Sequence, residues 1–199
     1  MNKFSLTFLL FYIFGFSQAI NSSWIKIFIK DLGSIELPKD LEIKNSKEQK
    51  FFDWQNNNQS YDSKDFLATF KDKKLKKIEA SVRIETAITL VGDYHKLNTI
   101  FTQSQIDWLN EITKKQIKNS GIEILKWFPM KSMLFSNANC LTYGYHQNKN
   151  GAVEFVRQYL FYNNDRMHQL TFTYHLSQKE KWETVFKKVI NSLIIENRR

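Results

Sequence analysis

The side chain with the clearest potential for binding chemistry is Arg157, because it interrupts the alternating aromatic set Phe155, Tyr159 and Phe161 of a predicted strand. A buried guanidinium without a partner is costly, so it must stack on rings, pair with an anion or reach solvent. One hypothesis is a pocket in which Arg157 holds an anionic ligand group, with Tyr143 and Tyr145 as walls and Trp127 nearby. The alternative is an arginine that reaches solvent at a helix edge or binds carbonyl groups at a helix C-terminus.

The other polar residues form no recognisable catalytic or metal-binding pattern. The four histidines lack the spacing of metal ligands, and the sequence contains no phosphate-binding glycine loop and no GxSxG elbow. These histidines are His95, His146, His168 and His175. Glu154 and His175 are expected to face each other across a hairpin, either as a general acid–base pair or, more simply, as a solvated cross-strand pair. We therefore expect no catalytic residue, no metal and no cofactor, and a non-enzymatic protein.

The single cysteine and the basic charge do not single out a function. Cys140 cannot form an internal disulfide, and we interpret it as a small buried hydrophobe; a covalent dimer and a reactive thiol are the alternatives. The formal net charge of +9 is carried by a chain rich in Lys, Asn, Ile and Phe, residues that AT-rich codons encode. The lysine-rich segment Lys71–Lys77 lacks the aromatic residues of a nucleic-acid site, so we interpret it as a solvated loop rather than an anion-binding patch.

Three antiparallel strands and a helix are predicted to position Arg157. Asn164-Asp165 suits a two-residue type I′ turn, which pairs Phe161 with His168, Tyr159 with Leu170, Arg157 with Phe172 and Phe155 with Tyr174. Lys149-Asn150-Gly151 suits a three-residue loop, which pairs Tyr145 with Phe155, Tyr143 with Arg157 and Leu141 with Tyr159. The two turns together predict that the odd-numbered side chains of the first two strands share one buried face with the even-numbered side chains of the third.

The last helix is predicted to cover that aromatic face. Ser177 and Glu180 have the spacing of a capping box, and Glu183 and Lys187 that of an i,i+4 ion pair. The apolar residues that follow fall in one narrow helical stripe. They are Trp182, Val185, Phe186, Val189, Ile190 and Leu193.

Shorter patterns predict the remaining elements. Strands are expected at Trp24–Lys30, Ser34–Leu37, Phe66–Phe70, Ile78–Leu90 and Ile122–Trp127, the last of these ended by Pro129. The polar tract Asn56–Ser60 is expected to be a loop. The strand Ile78–Leu90 has the clearest period-two pattern, and we expect it to lie centrally in the sheet.

A mid-chain helix is predicted from a cap at Ser104 to Asn119, closed by Gly121. Its main apolar stripe holds Ile106, Leu109, Thr113 and Ile117. Trp108 lies almost opposite that stripe, with Ile112 one turn further on. Either the apolar face is unusually wide, or Trp108 and Ile112 form an interaction surface for a partner.

The first nineteen residues are predicted to be a cleaved signal peptide. Lys3 precedes the apolar run Phe4–Phe16, and small residues up to Ala19 suit a signal peptidase. The run is too short for a permanent membrane anchor. We expect one domain at 20–199 in the periplasm or outside the cell, with a net charge of +8 after Lys3 is lost, and no transmembrane segment after cleavage.

Four stretches resemble the PsbP-like superfamily, which includes the oxygen-evolving-complex extrinsic protein, the Mog-type Ran-binding import factor and many small exported bacterial proteins. They are GSIELPKDLEI, VRIETAITLVGDY, VRQYLFYNNDRMHQLTFTYH and KWETVFKKVINSLI. The likeness is strongest from Val153 onward and rests on the pattern of elements. It implies an α/β/α sandwich with one helix on each sheet face, and binding or assembly roles rather than a shared chemistry.

The sequence thus predicts an α+β fold with a mainly antiparallel sheet, since hairpins dominate and no βαβ alternation occurs. The leading hypothesis is an exported protein that binds a partner protein or assists assembly. The second is a small-anion-binding protein with a cleft near Arg157 and Trp127, and a hydrolase is a distant third. We expect no nucleic-acid partner.

Overall fold

The computed structural model describes residues 23–45, 50–53, 58–61, 66–71, 77–88, 96–135 and 138–196. The signal peptide predicted at 1–19, most of the lysine-rich segment Lys71–Lys77, and His95 lie outside these residues.

Twelve strands and two α-helices occur within the described residues. The strands are β1 (Trp24–Ile29), β2 (Gly33–Pro38), β3 (Glu42–Asn45), β4 (Lys50–Asp53), β5 (Asn58–Tyr61), β6 (Phe66–Lys71), β7 (Ile78–Ile88), β8 (Ile124–Phe135), β9 (Ala138–Lys149), β10 (Ala152–Asn163), β11 (Arg166–His175) and β12 (Ile194–Ile195). The helices are α1 (Gln103–Asn119) and α2 (Lys179–Asn191), the second preceded by one 3₁₀ turn, Leu176–Gln178. The predicted α+β class is confirmed.

The strands form two sheets. The larger sheet has the order β3-β6-β7-β11-β10-β9-β8 and is antiparallel throughout. The smaller sheet has the order β12-β2-β1-β5-β4, with β1 and β5 parallel. The strand predictions for β1, β2 and β6 are confirmed. The loop predicted at Asn56–Ser60 is wrong at its end, because residues 58–60 pair with β1 and β4.

The long strand β7 lies between β6 and β11, as predicted. Its buried residues are Ala80, Val82 and Ile84, which alternate as the pattern requires. Ile78 and Ile88 belong to the same alternating set, yet they are 44% and 72% exposed. They lie at the two ends of the strand, where burial no longer follows the alternation.

The register of the β10–β11 hairpin is the predicted one. All four expected pairs occur, including Arg157 with Phe172. The turn differs in type: Asn164 has a φ of 57° but Asp165 does not have a positive φ, a pattern that belongs to type II′ rather than type I′. Both turn types have a two-residue loop, so the pairing is unaffected.

The predicted register of β9 against β10 is wrong by one residue. Lys149 pairs with Ala152, so the loop contains only Asn150 and Gly151, and their φ values of 51° and 80° suit a type I′ turn. Arg157 therefore faces Gly144, and Tyr143 faces Gln158. Because side chains alternate along a strand, this shift moves the odd-numbered residues of β9 to the opposite face of the sheet.

The large sheet consequently has an apolar cluster on each face. Helix α2 and the small sheet pack on one face, where the Phe172 and Phe186 rings stack at 4.7 Å and the Phe70 and Trp182 rings approach to 4.4 Å. Helix α1 packs on the other face through Ile106. This arrangement confirms that the last helix covers the aromatic face, and that one helix lies on each side.

The structure corrects both predicted helix starts. Thr102 rather than Ser104 caps α1, in a capping box with Gln105. Helix α2 has no Ser177–Glu180 capping box, because the 3₁₀ turn replaces it. Within α2 the observed ion pair joins Lys179 to Glu183 at 3.8 Å, whereas we had expected Glu183 and Lys187.

Strand β8 continues through Pro129, which was predicted to end it. The register with β9 shifts between Phe128 and Lys131, so the proline lies in an irregular stretch. Strand β8 is also an edge strand, where a residue without an N–H is tolerated. No helix within the described residues is long and apolar enough to span a bilayer.

Replacing Trp182 should test how far the fold depends on α2. Trp182 is 1% exposed, so we expect Trp182→Ala to lower the free energy of unfolding by about 3–5 kcal/mol through lost burial and a residual cavity. Thr184→Ala, at an exposed position on the same helix, should change it by no more than about 0.5 kcal/mol. Urea denaturation measures both, and equal effects would contradict the assigned packing.

Candidate functional site

An open cleft of about 320 Å³ lies beside α2 on the aromatic face of the large sheet. Strand β8 forms one wall, α2 forms the other, and β10 and β11 form the floor. The lining residues are Lys131, Met133, Phe135, Phe155, Arg157, Tyr159, Phe172, Tyr174, Glu183, Phe186, Lys187, Ile190 and Asn191. We call this the α2 cleft.

Arg157 occupies the floor of the α2 cleft and is half-buried. Its Cζ lies 5.2 Å from the centre of the Phe155 ring and 5.9 Å from that of Phe128. Among the residues that the structure describes, no carboxylate, carbonyl or hydroxyl accepts a hydrogen bond from the Arg157 guanidinium. Cation–π contacts with this edge-to-face pair of rings therefore hold the cation, and its hydrogen-bond donors are available to a ligand.

Gly144 provides the space that Arg157 occupies. A Cβ at Gly144 would lie 2.8 Å from the Val156 carbonyl oxygen, 3.3 Å from Arg157 Nε and 3.4 Å from Phe155 Cε2. Any larger residue would push the two strands or the guanidinium aside. The glycine therefore belongs to the site although it does not line the cleft.

Two tyrosine hydroxyls lie close to the charge on Arg157. The Tyr174 hydroxyl donates to Glu183 Oε1 at 3.3 Å; burial, and then the Glu183 charge, raise the pKa of Tyr174. Burial also raises the pKa of Tyr159, and the charge on Arg157 opposes that rise. Within the described part of the chain the Tyr159 hydroxyl has no hydrogen-bond partner, so it too is available to a ligand.

The charge at the α2 cleft is predominantly positive. Lys131 and Lys187 are exposed and line the cleft together with Arg157, while Glu183 is the one carboxylate in its lining. Glu183 is itself compensated by Lys179 at 3.8 Å and by the Tyr174 hydroxyl. The cleft thus combines aromatic walls with a surplus of cations, which favours an anion that has an apolar body.

The other residues predicted to bind the ligand do not join Arg157. Tyr143, Tyr145 and Trp127 lie on the α1 face, where Trp127 stacks on the two tyrosines at 5.4 and 6.0 Å. Trp127 Nε1 donates to Asn110 Oδ1 at 3.0 Å, and the Tyr143 hydroxyl donates to Gln158. For the two tyrosines this separation follows from the one-residue shift of β9, and Trp127 lies with them because it pairs with Tyr145.

The predicted interaction surface on α1 is exposed in part. Trp108 is 64% exposed, whereas Ile112 is half-buried. Of the two explanations for Trp108, the wide apolar face is wrong, because the ring does not pack into the α1 cluster. Trp108 is thus a large apolar side chain presented to solvent.

The remaining polar candidates contact neighbouring residues. Glu154 faces His175 as predicted, but Glu154 accepts a hydrogen bond from Gln147 at 2.8 Å, and His175 Nε2 lies 3.1 Å from the Ile78 carbonyl. His168 is buried, with its Nδ1 2.8 Å from Thr86 Oγ1. No group of three metal-ligating side chains occurs among the described residues.

Sequence reasoning identified Arg157 but missed most of its surroundings. Lys187 and Glu183 were assigned to the solvent side of α2, and Lys131 was not considered. The position of Glu183 and Lys187 could have been inferred, because Glu183, Lys187 and Ile190 follow at helical spacing beside the buried stripe. Gly144 could have been found only from the correct β9 register.

Cys140 should be unreactive in the folded protein. It is buried, and burial raises the pKa of its thiol to about 12. We expect 5,5′-dithiobis(2-nitrobenzoate) at pH 8 to modify the folded protein more slowly than the urea-unfolded protein, on the order of a hundredfold or more. Reaction at the unfolded rate without urea would contradict this assignment.

The same thiol contributes to the pH dependence of stability. Because the folded pKa is raised above the ordinary thiol value of 9.0, the unfolded state loses its proton first as the pH rises. This contribution to stability is fully present below pH 9 and is lost between pH 9 and about 12. Cys140→Ala should lack that part of the decline.

Comparisons with known proteins address the fold. The chain is similar to the cyanobacterial PsbP protein CyanoP from Synechocystis, with a TM-score of 0.56 and 10% sequence identity over 88% of this chain and 94% of that chain. Weaker similarities are to a Pseudomonas aeruginosa protein of unknown function (TM-score 0.47, 10% identity, 88% and 99% covered) and to LpqN of Mycobacterium tuberculosis, involved in cell envelope biogenesis (0.42, 12%, 88% and 85%). No protein-family model and no curated protein matches the chain. The similarity to CyanoP confirms the fold expected from the sequence resemblance.

Proposed function

We propose, starting from the PsbP-like fold of this chain, that it is a non-enzymatic binding protein whose α2 cleft takes a small amphipathic anion. The observation that carries this proposal concerns Arg157: its half-buried guanidinium contacts the rings of Phe155 and Phe128, and no acceptor among the described residues satisfies it. A structural arginine at such a depth would be expected to have a carboxylate or carbonyl partner. A ligand anion would fill that position.

The walls of the cleft support an apolar body for the same ligand. Phe135 and Phe186 lie on opposite walls, and the rings of Tyr159 and Phe172 lie on the floor between them. A volume of about 320 Å³ is at the small end of ligand-binding cavities, which suits a metabolite rather than a large cofactor. Because the cleft opens to solvent, the ligand would enter without any movement of α2.

Replacing Arg157 tests this function directly. A panel of phenyl and octyl compounds carrying a carboxylate, a sulfonate or a phosphate would be titrated into the ¹⁵N-labelled protein and followed by amide shifts. We expect at least one anion to shift resonances of β8, β10 and α2. Arg157→Ala should weaken that binding about tenfold to a hundredfold, since a hydrogen bond to a charged group contributes ~1.5–3 kcal/mol.

Arg83→Ala provides the matched control. Arg83 is also a strand arginine, but it lies on the opposite side of the large sheet, paired with Glu85 at 3.0 Å. Arg83→Ala removes the same unit of positive charge but leaves the α2 cleft unchanged, so anion binding should be unchanged. If both variants lose the same affinity for the anion, the loss reflects net charge and not a contact with Arg157. If no compound binds the wild-type protein, the proposed function is refuted.

A second function, the binding of a partner protein, is favoured by Trp108. A tryptophan 64% exposed on a helix is a common anchor of protein interfaces. This surface lies on the α1 face, away from the α2 cleft, so the two functions do not exclude each other.

The partner hypothesis predicts a selective effect of Trp108. Trp108→Ala should abolish retention of a specific protein from an envelope fraction while leaving the thermal midpoint unchanged, because the ring is not packed in the core. Leu134→Ala, which removes another apolar side chain that is 70% exposed, is the control. Retention by the Trp108 variant at the wild-type level would end this hypothesis.

Export of the protein is part of the same proposal. Its support is the sequence of residues 1–19, with Lys3, an apolar run and small residues before a cleavage point after Ala19. In the periplasm or outside the cell, residues 20–199 would act as one binding domain.

A further inference from the structure

We infer that the ligand of the α2 cleft is a monocarboxylate that carries an aromatic ring. This inference rests on the proposed function, since it specifies the chemistry of the same site. Three features of the cleft lead to it: the way Arg157 is held, the charges around it, and the nature of its walls.

Arg157 is held in the manner that suits a carboxylate. Its guanidinium lies beside the rings of Phe155 and Phe128, at 5.2 and 5.9 Å, and these rings contact each other edge to face, so the planar group can lie flat on only one of them. A planar fork of N–H donors matches the two oxygens of a carboxylate in a bidentate contact. The Tyr159 hydroxyl also lines the cleft and has no partner within the described residues, so it can donate a further hydrogen bond.

The cleft as a whole carries a surplus of cations, but the groups nearest the end of α2 favour a single negative charge on the part of the ligand that meets Arg157. Ile190 and Asn191 belong to the last turn of α2, where the helix dipole places partial negative charge. The Glu183 carboxylate lines the same cleft. Lys131 and Lys187 are exposed, so solvent and salt screen them. The lining contains no helix N-terminus and no glycine-rich loop, the features that bind phosphate groups in other folds.

Aromatic side chains make up most of the apolar surface of the cleft. Rings line both walls and the floor, and they offer edges and faces to a planar ligand group. They are Phe135, Phe155, Tyr159, Phe172, Tyr174 and Phe186. A flexible alkyl chain would lose more conformational freedom in this open cleft than a ring would, and it would gain no ring–ring contact.

Four matched probes test the assignment by amide-shift titration at fixed ionic strength. They are 3-phenylpropionate, nonanoate with the same number of carbons, phenethyl phosphate, and the neutral 3-phenyl-1-propanol. We expect 3-phenylpropionate to bind about fivefold or more tighter than nonanoate and phenethyl phosphate. It should bind about tenfold or more tighter than the alcohol, which cannot pair with Arg157.

Two variants separate recognition from folding. Arg157→Lys keeps the charge but loses the planar fork, and it should weaken 3-phenylpropionate about fivefold while changing phenethyl phosphate by less than about twofold. Tyr159→Phe keeps the ring but removes the hydroxyl, and it should weaken 3-phenylpropionate about threefold. Thermal midpoints close to the wild-type value establish that both variants are folded.

The outcomes distinguish this inference from the proposed function. If all three anions bind with similar, Arg157-dependent affinities, the anion-binding function holds and the aromatic-carboxylate assignment is overturned. Tighter binding of nonanoate or phenethyl phosphate than of 3-phenylpropionate would also overturn it. If no probe binds the wild-type protein, the proposed function fails, and this inference fails with it.

Discussion

The alternation of side chains across the large sheet is the constraint from which the α2 cleft follows. Each residue of β9 faces either α2 or α1, and the two-residue turn at Asn150-Gly151 decides which. With that turn, the bulky residues Tyr143 and Tyr145 pack under α1, and Gly144 faces the α2 side. A loop one residue longer would turn Tyr143 and Tyr145 to the α2 side and place Tyr143 opposite Arg157.

The cleft exists because α2 covers only part of this face of the sheet. Its rings contact β11 and β6, as in the stacking of Phe186 on Phe172 and the contact of Trp182 with Phe70. Strands β8, β9 and β10 continue the same sheet beyond the helix. Strand β8 therefore presents Lys131, Met133 and Phe135 across a gap from α2, and the floor between them remains accessible.

The sequence could predict the β10–β11 hairpin and the burial of α2 because only one arrangement of each buries its apolar residues. In β11 the apolar residues Leu170, Phe172 and Tyr174 occupy one alternating set, and only one register buries it together with the aromatic residues of β10. Strand β9 is different, because Leu141, Tyr143 and Tyr145 form an apolar set that suits either face of a sheet with two cores. Lys149-Asn150-Gly151 suits a two-residue or a three-residue loop, so the turn did not resolve the ambiguity.

The local sequence also could not predict where the helices start or that β8 continues through Pro129. Thr102 and Ser104 are both acceptable caps, and the choice between them depends on where Phe101 and Ile106 pack. Pro129 is a strand terminator in a central strand but is tolerated at an edge, and the sequence does not reveal which strand is the edge. Such features are decided by tertiary position.

Arg157 remains the residue that the needs of the fold explain least. Methionine or leucine could cover Phe155 and Phe128 without bringing a charge into the sheet, and replacing buried charges by apolar residues is often neutral or stabilising. Cation–π contacts offset only part of the desolvation of a guanidinium. The rest would be offset by an anion that pairs with it, and Gly144 keeps the adjacent space open at the expense of a side chain on β9. An arginine and a glycine facing each other beneath an open aromatic cleft are more readily explained by recognition than by stability.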